Sequence, residues 1–461
     1  MQKIKQLFRS SRSKNGSYSV GMTVLVITII VILNLLAGQI PEKYRNLDVS
    51  STKIYEISKT SQKLLKNLEH KVQFTVLADQ AKMDERIVTF LSKYAGLSSK
   101  LSVEWIDPVL HPSALQEYEA SENSIVVSCE DTQKKEIVSF QDIIVMDMAS
   151  YYYTGSASEV SFDGEGQLSS AVHAVTSEEV NKIYQTSGHG EMTLSSTIQE
   201  LLEKGNYTVE GVNTVMKPEI PKDCELLLIH APSSDLTEDE KNAIEEYLKN
   251  GGDVMLLFGD TNSTELPNLA SLLKTYGMEG VDGYIADTKR SYQNNYYCFF
   301  PELSVSGDLA ENLESQMTLL LNAHGMQLTK PERESISVQE FMTTSDAGYA
   351  VTQESQSEAG QYVLGAVAEE EESRFTVISA GSLIAQQITD TFPQLENTTL
   401  FLNAVAANFE GTENLSIEAK SLTPVYNTMQ HADWLSILVI FILPLGILAI
   451  GFGTWMKRRK A

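Results

Sequence analysis

Hydrophobic and polar positions along this chain fall into three regimes. At either end, Tyr18 to Ile40 and Trp434 to Met456 run without a charged residue. Each predicts a membrane-spanning helix, because crossing a bilayer takes about 20 apolar residues at roughly 1.5 Å rise per residue. Between them the pattern becomes amphipathic. Ser58 to Leu68 predicts a capped helix with Leu64, Leu65 and Leu68 on one face, and Val72 to Leu77 predicts a strand. A second helix is expected over about Asp84 to Tyr94, then a strand over Leu101 to Ile106 and a strand pair from Ser124 to Ser128 and Glu136 to Ser139. This order of helix, strand, helix, strand and hairpin predicts an α/β domain over residues 44–160, reminiscent of a thioredoxin-like fold that lacks the redox CxxC.

The third regime is βα alternation. A Ser-, Gly- and Tyr-rich segment, Ala149 to Gln167, is read as the link, with the boundary near residue 160 and a helical stretch at Leu168 to Thr176 beyond it. A strand at Lys182 to Gln185 is followed by a helix with Leu194, Ile198, Leu201 and Leu202 on one face, and Gly205 is expected to end it in a left-handed cap. A strand near Tyr207 to Val212 and an apolar strand, Leu226 to Ile229, come next. Thr237 with Glu240 three residues later is a capping box that opens a helix striped by Ala243, Ile244, Tyr247 and Leu248. Val254 to Phe258 is another continuous apolar strand, and strands buried on both faces belong to parallel sheets. Beyond Asn262 the expected elements are a helix near Leu266 to Tyr276, strands near Gln361 to Val367 and Phe375 to Ser379, and a helix near Leu400 to Asn408. Glu354 to Glu358 and Glu369 to Glu372 are read as exposed loops. The second domain is assigned to residues 161–425.

Charge orients the ends. Lys3, Lys5, Arg9, Arg12 and Lys14 precede the first apolar stretch, and Lys457, Arg458, Arg459 and Lys460 follow the second. Positive flanks stay cytoplasmic, so residues 1–17 and 457–461 are read as cytoplasmic tails, 18–40 and 434–456 as spans, and the middle as extracytoplasmic. Trp434 and Trp455 bracket the second span as interfacial anchors would. A cleaved signal peptide is the alternative for the first stretch, but Leu35-Leu36-Ala37-Gly38 is followed by Gln39 rather than a lipidated Cys, and no small-x-small site follows. Removing the nine tail cations from a formal charge of −26 leaves −35 for the middle segment. Such a surface repels nucleic acid; scattered acidity of this kind is a solvated face before it is a cation-steering surface.

Candidate chemistry is sparse. The 461 residues contain three cysteines, Cys129, Cys224 and Cys298, with wide gaps and no CxxC, which argues against a disulfide framework or a zinc site. No GxxxxGK[ST] loop is present, so the chain is not itself a P-loop ATPase. The sharpest motif is Gly188-His189-Gly190-Glu191, between a strand and a helix at the sheet edge where ligands bind in open parallel sheets. Its readings are a structural turn, a ligand or partner contact, or a general base pair, and no nucleophile or third metal ligand accompanies it. His230, at the end of its own strand, is placed at the same edge. An amidotransferase-like nucleophile would sit on the turn after Val254 to Phe258, which reads Gly259-Asp260-Thr261 and holds no Cys.

With these pieces in place, the sequence resembles the Gldg family, auxiliary components of ABC-type transport systems related to gliding motility. Tyr55-Glu56-Ile57-Ser58-Lys59-Thr60-Ser61 is similar to its YSLSPxT, and Val103-Glu104-Trp105-Ile106-Asp107-Pro108 to its VEYIDP. Phe162-Asp163-Gly164-Glu165 with Leu168-Ser169-Ser170-Ala171-Val172, then Gly188-His189-Gly190-Glu191, match its gE-x-x-l-t-s-A and TGHGE in order and spacing. Leu402-Asn403-Ala404-Val405 resembles its LNAVN element. The chain departs from the family at Gly381-Ser382, where an acidic turn is expected, and at Ala407. The resemblance implies a class I glutamine-amidotransferase-like, flavodoxin-like second domain. It also implies a non-catalytic role beside a separate ATPase subunit and a multi-span permease; no cofactor and no metal is expected. A membrane-tethered hydrolase or amidase using His189 and Glu191 on envelope substrates is the competing expectation.

Overall fold

A computed structural model describes residues 52–147, 157–177, 180–392, 394–409 and 415–422, with isolated positions in the two terminal stretches. The expected spans at 18–40 and 434–456 therefore lie outside the described residues. Among those described, no helix is long and apolar enough to cross a membrane.

The first sheet follows the expected order. Helix α1 (Lys59–Lys66) starts where the Ser58 hydroxyl accepts from the Ser61 amide, and α2 (Glu85–Ala95) where the Asp84 carboxylate caps Arg86. Strands β1 (Val72–Leu77), β2 (Leu101–Ile106), β3 (Ser124–Cys129) and β4 (Lys134–Ser139) pair in the order β2-β1-β3-β4. β1 runs parallel to β2 and antiparallel to β3, and β3 antiparallel to β4. Alternation sends Val72, Phe74 and Val76 into one core with Leu65, Phe90, Tyr94, Ile125 and Val127.

Two further strands, β5 (Ile144–Asp147) and β6 (Ser158–Phe162), pair antiparallel and lead into helix α3 (Gly164–Thr176). That helix buries Leu168, Ala171, Val172 and Val175 in the first core. Its polar residues meet there too. Glu165 Oε1 accepts from the Ser58 amide and the Ser61 hydroxyl, both at 2.7 Å, and Ser169 Oγ lies 2.9 Å from Ser61 Oγ and 2.8 Å from Tyr94 Oη. The Lys420 ammonium binds Glu165 Oε2 at 3.0 Å and also donates to the Glu56 carbonyl. Residues 420 and 421 pair with β6, and the Leu422 amide donates to Val160. The late segment of the chain thus returns to its early segment.

The second sheet has eleven strands among the described residues. Its parallel half holds β7 (Asn181–Ser187), β8 (Tyr207–Asn213), β9 (Leu226–His230) and β10 (Asp253–Leu257), in the order β8-β7-β9-β10, followed by Ser373–Ile378 parallel to β10. Both faces are covered, as continuous apolar strands require. Ile183, Leu226, Leu228, Met255 and Leu257 pack with α4 (Ser196–Lys204) and a late helix, Asn397–Ala406. Tyr184, Leu227, Ile229, Val254 and Leu256 pack with α5 (Glu238–Lys249) and α6 (Pro267–Thr275).

From there the sheet continues antiparallel through Val363–Glu370, the strand expected near Gln361 to Val367, and then through His324–Leu328, β11 (Met278–Asp287) and Gly348–Val351, which the sequence pattern does not predict. The fold is thus a mixed α/β fold with parallel and antiparallel sheets. Two local expectations are corrected. Gly205 has φ −75° and Asn206 takes the left-handed conformation at φ 65°. Glycine is needed at 205 because a Cβ there would lie 2.6 Å from the Tyr207 ring. Glu369 and Glu370 are not loop but the end of a strand, where Glu370 accepts a bidentate pair from Arg333.

Lys204, the last residue of α4, carries its ammonium to Asp163 Oδ2 at 2.6 Å, with side chains 8% and 1% exposed. Burial works against that charge. The Asp163 carboxylate, and behind it that of Glu200, outweigh it and hold the ammonium above its ordinary range. Removing one partner from a buried pair leaves an uncompensated charge, so Lys204→Met is expected to destabilise the protein by about 3–5 kcal/mol. Asp163→Asn combined with Lys204→Met should recover part of that loss. Urea unfolding of the three proteins measures both effects.

Candidate functional site

The turn after β7 is shaped by two glycines. Gly188 has φ +119° and Gly190 φ +72°, a region side-chain-bearing residues rarely enter. A Cβ at Gly188 would lie 2.6 Å from Val215, and one at Gly190 2.1 Å from the Ser233 hydroxyl. The backbone between them is fastened down. His189 O accepts from the Ser233 amide at 2.9 Å, the Ser234 amide at 3.0 Å and the Ser233 hydroxyl at 3.0 Å.

His189 does not face solvent; it is 3% exposed. Its ring lies between two carboxylates, with Nε2 3.2 Å from Glu240 Oε2 and Nδ1 3.4 Å from Glu191 Oε1. The His189 amide donates to Glu191 Oε2 at 2.7 Å. Glu240 has two roles, because the same Oε2 accepts from the Thr237 amide and hydroxyl and closes the capping box expected for α5. Contact with Glu191 raises the imidazole above its ordinary range against the effect of burial, and the charge of Glu240 adds to it. For Glu191 burial acts upward, but the His189 ring and the backbone amides around it outweigh this and hold the carboxyl at about 2. Glu240 is likewise held low despite burial, by the nearby Thr214 and Thr237 hydroxyls and by His189. The arrangement is a buried imidazole between two carboxylates, a setting that favours its protonated form.

His230 joins the loop through Met192 rather than through His189. The Met192 amide donates to the His230 carbonyl at 3.0 Å, and the His230 ring donates from Nδ1 to the Met192 carbonyl at 2.9 Å. Burial lowers its basicity, and with Nδ1 donating to Met192 the other nitrogen, Nε2, is buried without a hydrogen-bond partner among the described residues. All five expected residues therefore meet at one sheet edge, with both imidazoles inside.

What opens to solvent beside them is a cleft of about 590 Å³ between β7, β8 and α4. Gly188, Gly190 and Glu191 form one wall, and Gln199, Glu203, Tyr207 and Glu210 line the remainder. Thr186 Oγ1 and Tyr207 Oη border it, both buried and without a hydrogen-bond partner among the described residues. Sequence reasoning missed these groups and Glu240. The Glu240 signal was present only as a helix cap, 51 residues from His189.

Residues 166–296 match the model of a family described as ABC-type uncharacterized transport system. The match supports an auxiliary component of such a system and is compatible with the motif resemblance to the Gldg family. Residues 51–146 match a second model, described only as a domain of unknown function, DUF7088. No curated protein matches the chain. Among solved structures, the N-terminal domain of mmIFT52 aligns at 14% identity and TM-score 0.40, covering 50% of this chain and 98% of that one. A ThuA-like protein from Bacteroides uniformis aligns at 13% identity and TM-score 0.35, covering 52% and 96%. One from Parabacteroides merdae aligns at 10% and 0.31, covering 54% and 94%.

The charge cluster predicts a pH signature. The His189 imidazole is raised in the folded state, so its contribution is complete below its unfolded value of 6.5 and is lost as pH rises through the raised value. Glu191, depressed from 4.5 to about 2, contributes fully above 4.5 and loses this as pH falls toward 2. The stability advantage of the native protein over His189→Asn should therefore peak between about pH 4.5 and 6.5 and shrink on either side. Denaturant unfolding across pH checks this; a flat difference would remove the imidazolium from the account.

Proposed function

We propose that this protein is a non-catalytic auxiliary subunit of an ABC transporter, anchored by the stretches 18–40 and 434–456 with both termini cytoplasmic. In this reading its acidic domains face the extracytoplasmic side and act with a separate ATPase and a separate multi-span permease. The match of residues 166–296 to a transport-system family carries the proposal. The narrower assignment to the gliding-motility-related Gldg family rests on the motif order from Tyr55 to Val405.

The non-catalytic part has chemical support. Both ring nitrogens of His189 lie against buried carboxylates rather than the cleft, which disfavours the ring as a base towards a substrate. The turn after β10 holds no cysteine, and a Cβ at Gly259 would sit tightly, 3.0 Å from Ala231 Cβ. The three cysteines are buried, and burial pushes the Cys224 thiol up to about 11, away from thiolate character.

The same reading includes a thioredoxin-like first domain, supported by the β2-β1-β3-β4 order with α3 packed on that sheet. An amidotransferase-like second domain is supported by the parallel half with helices on both faces. The glycine loop then serves as a rigid ledge beside the cleft, for a ligand or for partner contact.

Purification of the full chain from mild detergent, with mass spectrometry of the co-purifying proteins, tests the reading. A P-loop ATPase and a multi-span permease at near-equal amounts are the expected result. A well-folded preparation without them, together with loss of phenotype in His189→Ala, Glu191→Gln, would shift the assignment to a membrane-tethered hydrolase.

A further inference from the structure

We propose that His70, Cys129 and Asp131 form a zinc site at the lip of the first domain's core. The inference is independent of the transport reading. The antiparallel register of β1 and β3 sets Val72 opposite Cys129. Two positions beyond that end of the ladder, His70 and Asp131 meet through their side chains, with Nδ1 3.0 Å from Oδ2. Cys129 is the last residue of β3 and Asp131 stands in the turn that follows it, which brings both side chains towards His70. One imidazole nitrogen, one thiol sulfur and one carboxylate oxygen then lie within 4.8 Å of one another.

The donor set fits zinc. Imidazole nitrogen, thiolate and carboxylate are its usual ligands, at about 2.0–2.3 Å, which places tetrahedral donors roughly 3.5 Å apart. A small closure of the present cluster reaches that spacing. The three donors come from different depths: Cys129 is 2% exposed, whereas the His70 and Asp131 side chains are 38% and 62% exposed. The sulfur is thus sheltered, while the fourth position opens outward to water, as in sites with three protein ligands. Cys129 is a free cysteine and forms no disulfide. Spacing arguments miss such a site, because His70 reaches the other two only through strand pairing.

Zinc takes thiol, imidazole and carboxylate ligands in their deprotonated forms, so affinity should fall as the pH is lowered. The test uses the untagged full chain in detergent and cobalt(II) as a spectroscopic probe. One equivalent should bind with a thiolate-to-cobalt charge-transfer band and the intense visible bands of a four-coordinate ion, and zinc should displace it. Cys129→Ser should abolish the charge-transfer band. His70→Ala and Asp131→Asn, at the exposed rim where folding is not at stake, should each weaken binding more than about 100-fold, since even groups behind a ligand cost about 10- to 100-fold. Absence of the band in the native protein, its survival in Cys129→Ser, or unchanged affinity in both rim variants would overturn the proposal.

Discussion

The ion pair between Asp163 and Lys204 is the constraint on which the arrangement of the molecule depends. Asp163 sits at the start of α3, which is packed into the first core, and Lys204 ends α4, which covers one face of the second sheet. Neither charge can be withdrawn into that environment alone. Their contact fixes α4 against α3, and α4 in turn forms a wall of the cleft beside the glycine loop. Asn312, which donates to the Thr60 hydroxyl, adds a second polar tie between the same two layers.

Polar motifs that look like chemistry in the sequence turn out to hold layers together. Glu165, Ser58, Ser61 and Ser169 come from two separate motifs of the family resemblance, and they meet in one hydrogen-bonded cluster with Tyr94. The Gly188–Glu191 motif has the same character. Its glycines permit the turn, while its histidine and glutamate bind each other and the cap of α5. A buried polar network whose members are satisfied, as around Glu165, specifies a single arrangement of the elements it joins.

The elements legible in the sequence are those whose signals are local. The Ser58 and Asp84 caps, the Thr237 to Glu240 box and the apolar runs of β9 and β10 all predict their own boundaries to within a residue or two. Of the antiparallel half only the buried strand Val363–Glu370 was legible; the others are short, or half-exposed and interrupted. β11 alternates irregularly and shifts register between Val281 and Tyr284, where Gly283 adopts φ +87°. Residue partnerships were illegible for a different reason. That Glu240 completes the surroundings of His189, or that His70 faces Asp131, depends on strand order and register, which no short window contains.

The return of residues 420–422 to β6 has a mechanical consequence. Lys420 touches both Glu56 and Glu165, so the first and last described segments leave the folded body at one place. The two described ends of the chain are thus fastened to each other at one corner of the body. Torque on either described end arrives at the Glu165 cluster first and passes through α3 and its ion pair to the second sheet.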